Sequence, residues 1–205
     1  LQVRVGIRGE ELTAEESALF CHDVVETLEP RAEWAIGVEA SLPGDALPNV
    51  ATVGSDARPI RIEPLSKSLF DPPDKLLSAF RRGSAGLRIV VVTPACFGRG
   101  WLPDGLIKQG NEYRGQLADI GEVVLRAAFV PRPMHTSGWD MAADAPKSTA
   151  RMVAPGAVYF FERVDGRRFE EADARALWLA AIGTRTEEGF GHVIPGVWSP
   201  TRSNQ

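Results

Sequence analysis

Residues Glu170 to Trp198 read EEADARALWLAAIGTRTEEGFGHVIPGVW. The segment from Glu170 to Ala181 is predicted as a helix, because Phe169, Ala172, Ala176 and Leu179 recur at helical spacing and make a stripe suited to packing on a sheet. Val193 to Trp198 reads as a closing strand. Between them, Gly183 to Gly196 is a glycine-rich loop holding Gly189, Gly191 and Gly196, with Arg185 before it and His192 just inside it. Glycine permits positive φ and close backbone approach. A run of bare N–H groups makes a concavity suited to an anion such as a phosphate. The expectation is therefore a loop that grips a phosphate-bearing partner, with Phe190 packed inward as its anchor.

Outward from this segment, Ala157 to Phe161 is a core strand and Leu87 to Thr93 a β-branched, buried one. Arg58 to Glu63 reads as a short strand, Asp74 to Arg82 as a short helix, and Ile120 to Val130 as a strand with Gly121 at a bulge. Strand, helix, strand, then strand, strand, helix, strand is the split βαβ order of an α+β, ferredoxin-like fold. Two long excursions interrupt it, one after Thr93 and one over Pro131 to Ala154. Long irregular insertions in a compact domain usually carry function. Nearer the start, Val3 to Ile7 alternates as a strand. Thr13 to Glu16 fits a capping box for a helix to about Leu28, yet Leu19 to Val25 equally fits a strand pairing with Trp34 to Ala40. Both readings stay open. Leu42 to Asp56 reads as a loop.

The 205 residues carry 23 Lys+Arg against 27 Asp+Glu, a formal net charge of −4. Free-standing nucleic-acid binders are usually basic, so any RNA contact here is expected from a local patch completed by a partner. Cys21 and Cys96 stand far apart without metal-ligand spacing, which fits a reducing cytoplasm. There is no apolar run of the roughly 20 residues needed to cross a bilayer, and no signal-peptide pattern. A strand that opens three residues from Leu1 gives the expectation of a longer polypeptide entered mid-fold.

Each excursion carries a tryptophan beside glycine, Trp101 and Trp139. We read each as pinning its own loop to the core; the alternative is that unstacked RNA bases stack on the rings. Their neighbours Arg99 and Lys147 suit phosphate contacts, which need cations on flexible stems. Arg151, where a loop enters the sheet, and Arg58 at another edge offer the planar fork that takes phosphate bidentately. His22, His135 and His192 are the candidates for acid–base work at neutral pH. None shares a local motif with a second acid–base group, so His22 reads as structural, His135 as a loop residue and His192 as a contact to RNA or a partner. His22-Asp23 stands as an isolated HD pair. No metal motif, Walker sequence or dinucleotide fingerprint is present, and neither a metal nor a cofactor is expected.

Leu87 to Pro103, with Thr93-Pro94-Ala95-Cys96-Phe97 followed by Gly98-Arg99-Gly100-Trp101-Leu102-Pro103, resembles a segment of subunit three of the Cmr complex, in the RAMP superfamily of type III-B CRISPR effectors. Gly138-Trp139-Asp140 with Pro146-Lys147, Arg151 to Tyr159, and Gly189-Phe190-Gly191 agree in the same order. Val5-Gly6-Ile7 with Leu19-Phe20, and Gly54 with Arg58, are also similar to the family. The resemblance implies a non-enzymatic, RNA-binding subunit with ferredoxin-like (RRM-like) domains and an antiparallel sheet. Such a subunit holds the 5′ handle of the guide RNA (crRNA) in antiviral defence and docks on the large polymerase-like subunit and on backbone RAMP subunits, with no membrane partner. It implies residues 1–56 as the remainder of an N-terminal RAMP region and 57–205 as the C-terminal RAMP domain. The RNA-binding set it implies is Arg58, Arg99, Lys147, Arg151, Arg185, Gly189, Phe190, Gly191, His192 and Gly196. The sequence departs from the family in lacking the beginning of the first domain, and in having no permanent cation between His192 and Pro195. A metal-independent guide-processing endoribonuclease and a pure protein scaffold are the competing readings.

Overall fold

The computed structural model describes residues 2–7, 11, 13–22, 35–39, 48–54 and 57–200. The chain divides into two units at Leu69/Phe70. In the first unit, β1 (Gln2–Ile7) pairs antiparallel with β2 (Ala14–His22), Val3 facing Cys21 and Val5 facing Leu19. Of the two readings left open there, the strand holds as far as His22, but its partner is β1, whose ladder satisfies its backbone and overrides the capping pattern of Thr13 to Glu16. The remainder of that expectation, and Trp34, lie outside the described residues. Val50–Val53 (β3) pairs with Arg58–Arg61 (β4) across a turn in which Gly54 takes φ +76°. The loop expected over Leu42 to Asp56 is therefore partly a hairpin, and its residues 42–47 and 55–56 lie outside the described set.

The second unit opens with α1 (Asp74–Phe80), followed by β5 (Gly86–Val91), β6 (Leu106–Gln109), β7 (Glu112–Gln116) and β8 (Glu122–Phe129). The short ribbons β9 (Met134–Thr136), β10 (Trp139–Asp140), β11 (Ala145–Pro146) and β12 (Ala150–Met152) come next, then β13 (Val158–Arg163), α2 (Glu171–Leu177) and β14 (Val193–Trp198). Six strands form one sheet in the order β14-β5-β13-β8-β7-β6, every neighbouring pair antiparallel. β5 and β8 both lie antiparallel to β13 on its two sides, so they run parallel to each other. The unit is α+β, with few helices and a mostly antiparallel sheet.

Alternation along the strands decides which face is dry. Leu87, Ile89 and Val91 of β5, Val123 and Leu125 of β8, Tyr159 and Phe161 of β13, and Val193 of β14 are buried. Arg88 between them on β5 is exposed. The two helices pack on each other and deliver Leu77 and Phe80, and Ala174 and Leu177, into that same core. Each large side chain so buried contributes about 1.5–3 kcal/mol. α2 begins where Asp173 accepts from the Glu170 N–H (2.8 Å) and from Arg163 at the end of β13 (2.6 Å), tying the helix start to the sheet.

Three expectations change here. The buried stripe of α2 is Ala174 and Leu177; Ala172 and Ala176 face solvent. The helix stops at Leu177, not Ala181, because residues 179–182 leave it to pair with 191–193: Leu179 N–H donates to the Val193 carbonyl (2.9 Å), Val193 N–H to Ala180 (2.9 Å) and Ile182 N–H to Gly191 (2.9 Å). Gly121 (φ +102°) closes a 3₁₀ turn before β8 rather than forming a bulge, and the irregularity of β8 against β13 sits at Arg126.

Tyr159 is fully buried among aromatic rings, and its hydroxyl donates to the Trp101 carbonyl at 2.6 Å. Burial raises its phenol pKa above the ordinary 10.0. The folded state then holds the proton more tightly than the unfolded state, so stability is full below about pH 10 and falls as pH rises beyond it. Tyr159→Phe should lower stability by about 1–2 kcal/mol at neutral pH, since Trp101 loses its donor. It should also flatten the alkaline loss seen in denaturant melts between pH 9 and 11; an unchanged alkaline slope would contradict this.

Candidate functional site

The segment that follows β5, Val92 to Phe97, is where the two excursions and the glycine loop meet. On one flank, Val92 N–H donates to the His192 carbonyl (2.8 Å), Gly191 N–H to the Pro94 carbonyl (2.9 Å) and Thr184 N–H to the Cys96 carbonyl (2.9 Å). On the other, Ala95 and Val153 exchange two bonds (2.9 and 2.8 Å). Val153 follows β12, whose Arg151 faces His135 of β9. Proline suits position 94, because its carbonyl is used and no N–H is required.

The glycine loop is therefore not a display of bare amides, and that expectation is corrected. The N–H groups of Thr184, Gly191 and Val193 go to the chain's own carbonyls, and that of His192 goes to the Thr93 hydroxyl (2.9 Å). Glu188 and Gly189 N–H groups close the local turn onto Arg185 and Thr186. A Cβ on Gly191, which is buried at φ +83°, would stand 2.1 Å from the Ile182 carbonyl oxygen. The close approach that this glycine permits is made by the protein's own backbone. Gly196 lies within β14, where a Cβ would meet the Arg88 guanidinium at 2.9 Å. Gly189 has open space around it.

Arg185, in the left-handed region at φ +61°, is held by both oxygens of Glu188 (2.6 Å each) and lies 5.1 Å from the Phe190 ring centroid. Phe190 is half-buried beneath that guanidinium and lies outside the buried core cluster, which corrects its expected role as an inward anchor. The Arg185 hydrogen bonds hold the Glu188 carboxyl below its ordinary pKa, and the charge of Lys147 adds to that. Lys147, from the second excursion, thus sits electrostatically beside the loop. His192 is half-buried with its Nδ1 2.7 Å from the Leu179 carbonyl. A carbonyl only accepts, so Nδ1 is the donor in this contact.

Arg99, Lys147 and Arg151 are exposed, and none forms an ion pair among the described residues. All three lie on the excursions tied to the segment after β5. Arg58 stands in the other unit, on β4 opposite Val53. His135 is exposed on β9 and faces Arg151; His22 ends β2. No group of three or more His, Cys, Asp or Glu side chains suited to a metal occurs among the described residues. No described helix is long and apolar enough to cross a membrane.

The family described as CRISPR-associated protein (Cas_Cmr3) matches residues 1–198. The chain belongs to this family. No curated protein matches it. Membership makes it a CRISPR-associated subunit of the multi-subunit, type III-B Cmr assembly.

The sequence reading also missed part of the first excursion. It contains the β6–β7 hairpin, whose two-residue Gly110-Asn111 turn between Gln109 and Glu112 puts Gly110 at φ +61°. A Gly-Asn pair between short alternating runs is the signal that announces such a hairpin. Both tryptophans are partly open to solvent, and Trp101 rests on Tyr113, which packs against the core. Trp101 is 40% exposed and meets Tyr113 edge-on at 5.4 Å, and Trp139 is 54% exposed, so neither indole is buried in the core.

These contacts set apart two glycines that look alike in the sequence. Gly191→Ala should cost about 2–4 kcal/mol, combining a left-handed backbone with displacement of packed backbone. Gly189→Ala, left-handed at φ +84° but unobstructed, should cost about 1 kcal/mol. Equal shifts in thermal melts of the two variants would contradict the packing described.

Proposed function

We propose that this chain is the non-catalytic subunit that holds the 5′ handle of the guide RNA, gripping it through cations of the two excursions rather than through glycine-loop amides. The observation that carries the reading is the distribution of charge. Arg81, Arg114, Arg126, Arg163, Arg167, Arg175 and Arg185 are tied to carboxylates. Arg99, Lys147 and Arg151 are exposed without such partners among the described residues. Flexible cations without bound counter-carboxylates are what a sugar-phosphate chain displaces salt onto. The strand order supports reading the second unit as a ferredoxin-like RAMP domain, with β5, β8, β13 and β14 as its four strands and the β6–β7 excursion in place of the first crossover helix.

The mechanism is positional. Contacts to sugar and phosphate fix where the handle lies and carry no sequence information, so target reading is left to base pairing. The large polymerase-like subunit and the backbone RAMP subunits are the proposed docking partners, in the cytoplasm. A pure scaffold role is the second reading, favoured by the net charge of −4 and the many neutralised arginines.

Binding of a handle-length single-stranded RNA should weaken as salt rises. Each of Arg99→Ala, Lys147→Ala and Arg151→Ala should reduce the slope of log affinity against log salt by about 0.7. Fluorescence anisotropy titrations at several salt concentrations, on the protein within its complex, measure this. Three folded variants with wild-type slopes would favour the scaffold.

A further inference from the structure

We propose that a cleft beside the β6–β7 hairpin is a stacking site for one unpaired base of single-stranded RNA, an inference that rests on the RNA-binding reading above and names a second point of contact. The cleft encloses about 620 Å³, within the usual range for small-ligand sites. It is lined by the aromatic Trp101 and Tyr113, by Ala127 and Ala128 of β8 and Val130 just beyond it, and by Asn111.

The two rings meet edge to face, interplanar angle 82°. That geometry leaves ring surface uncovered, and Trp101 keeps 40% of its surface open to solvent. The position of Trp101 is fixed from behind, since its own carbonyl takes the buried Tyr159 hydroxyl at 2.6 Å. A part-exposed indole in a cleft lined by small alanines suits a flat, unsaturated ring, and base stacking on aromatic side chains needs no particular base.

Charge at the cleft argues for a nucleotide over an apolar side chain of a partner protein. The one carboxylate in its lining, Glu112, is held by Arg114 and by Arg126 (2.5 Å), and those bonds keep its pKa below the ordinary value. It is thus compensated and does not repel a phosphate. Lys108 pairs with Tyr113 in the register of the hairpin, and Arg99 lies two residues before Trp101. Both are exposed, and neither is ion-paired among the described residues. Open cations on the residues neighbouring the two aromatic side chains suit the phosphates of a strand whose base enters the cleft. Asn111, also in the lining, carries an amide that both donates and accepts, as a base edge requires.

The test compares two fluorescein-labelled probes, an oligouridine and an abasic ribose-phosphate oligomer of the same length, titrated onto the complex carrying the wild-type, Trp101→Leu or Tyr113→Leu subunit, with thermal melts of each subunit as the folding control. Wild type should prefer the base-bearing probe by roughly 5- to 100-fold. Trp101→Leu should bring the two probes close together while leaving abasic binding unchanged. A folded Trp101→Leu that keeps the full preference overturns the site, as does equal binding of both probes by wild type, and in that case RNA binding itself still stands. Failure of both probes to bind at low salt overturns the RNA-binding reading and this site with it. Should Trp101→Leu not fold, 4-thiouridine crosslinking to the wild type decides. Adducts at residues 98–116 support the site, and adducts found only elsewhere overturn it.

Discussion

Backbone hydrogen bonds on both flanks of Val92 to Phe97 are the constraint on which the second unit depends. This stretch continues β5 beyond the sheet proper and takes the glycine loop on one side and Val153 on the other. Most exchanges there are between main-chain groups, supplemented by the Thr93 hydroxyl, which accepts from His192 N–H, and the Thr184 hydroxyl, which donates to the Cys96 carbonyl. Main-chain groups taken out of water must be paired, so the three segments hold one another in register. The excursions that carry Arg99, Lys147 and Arg151 are therefore built outward from one fixed seam, and the glycines belong to the seam.

The electrostatics follow from the same arrangement. An acidic chain can offer a local cationic surface only if its carboxylates are occupied elsewhere. Arg185 and Glu188 neutralise each other at the glycine loop, while Arg126 bridges Glu112 and Glu162 across the sheet. Exposed ion pairs of this kind contribute about 0–1 kcal/mol to stability. Their larger consequence is to set which side chains remain open to an anionic partner.

Much of the architecture was legible in the sequence. Val193 to Trp198 is a strand with the bounds expected of it, and β5, β13 and α1 fall close to their expected positions, because β-branched runs and short amphipathic stretches state their periods locally. What failed was decided at a distance. Ala172 and Ala176 have helical spacing, but Ala174 and Leu177 face the sheet, and alanine is small enough to sit on either side. Leu179 to Ile182 are good helix formers that pair instead with residues around Gly191, a partner that local propensity does not register. The glycine loop was legible as special, but its expected bare amides are engaged within the chain. Glycine at positive φ signals a close backbone approach, without saying whether the approaching backbone is another molecule or the chain itself.

Amide hydrogen exchange with and without single-stranded RNA tests most directly whether nucleic acid lies on the excursions or on the glycine loop. The amides of Thr184, Gly191, His192 and Val193 should be protected already in the free protein and change little with RNA. Residues 98–102 and 135–152 should gain protection. Gained protection confined to residues 184–193, with those amides exchanging freely beforehand, would contradict the account.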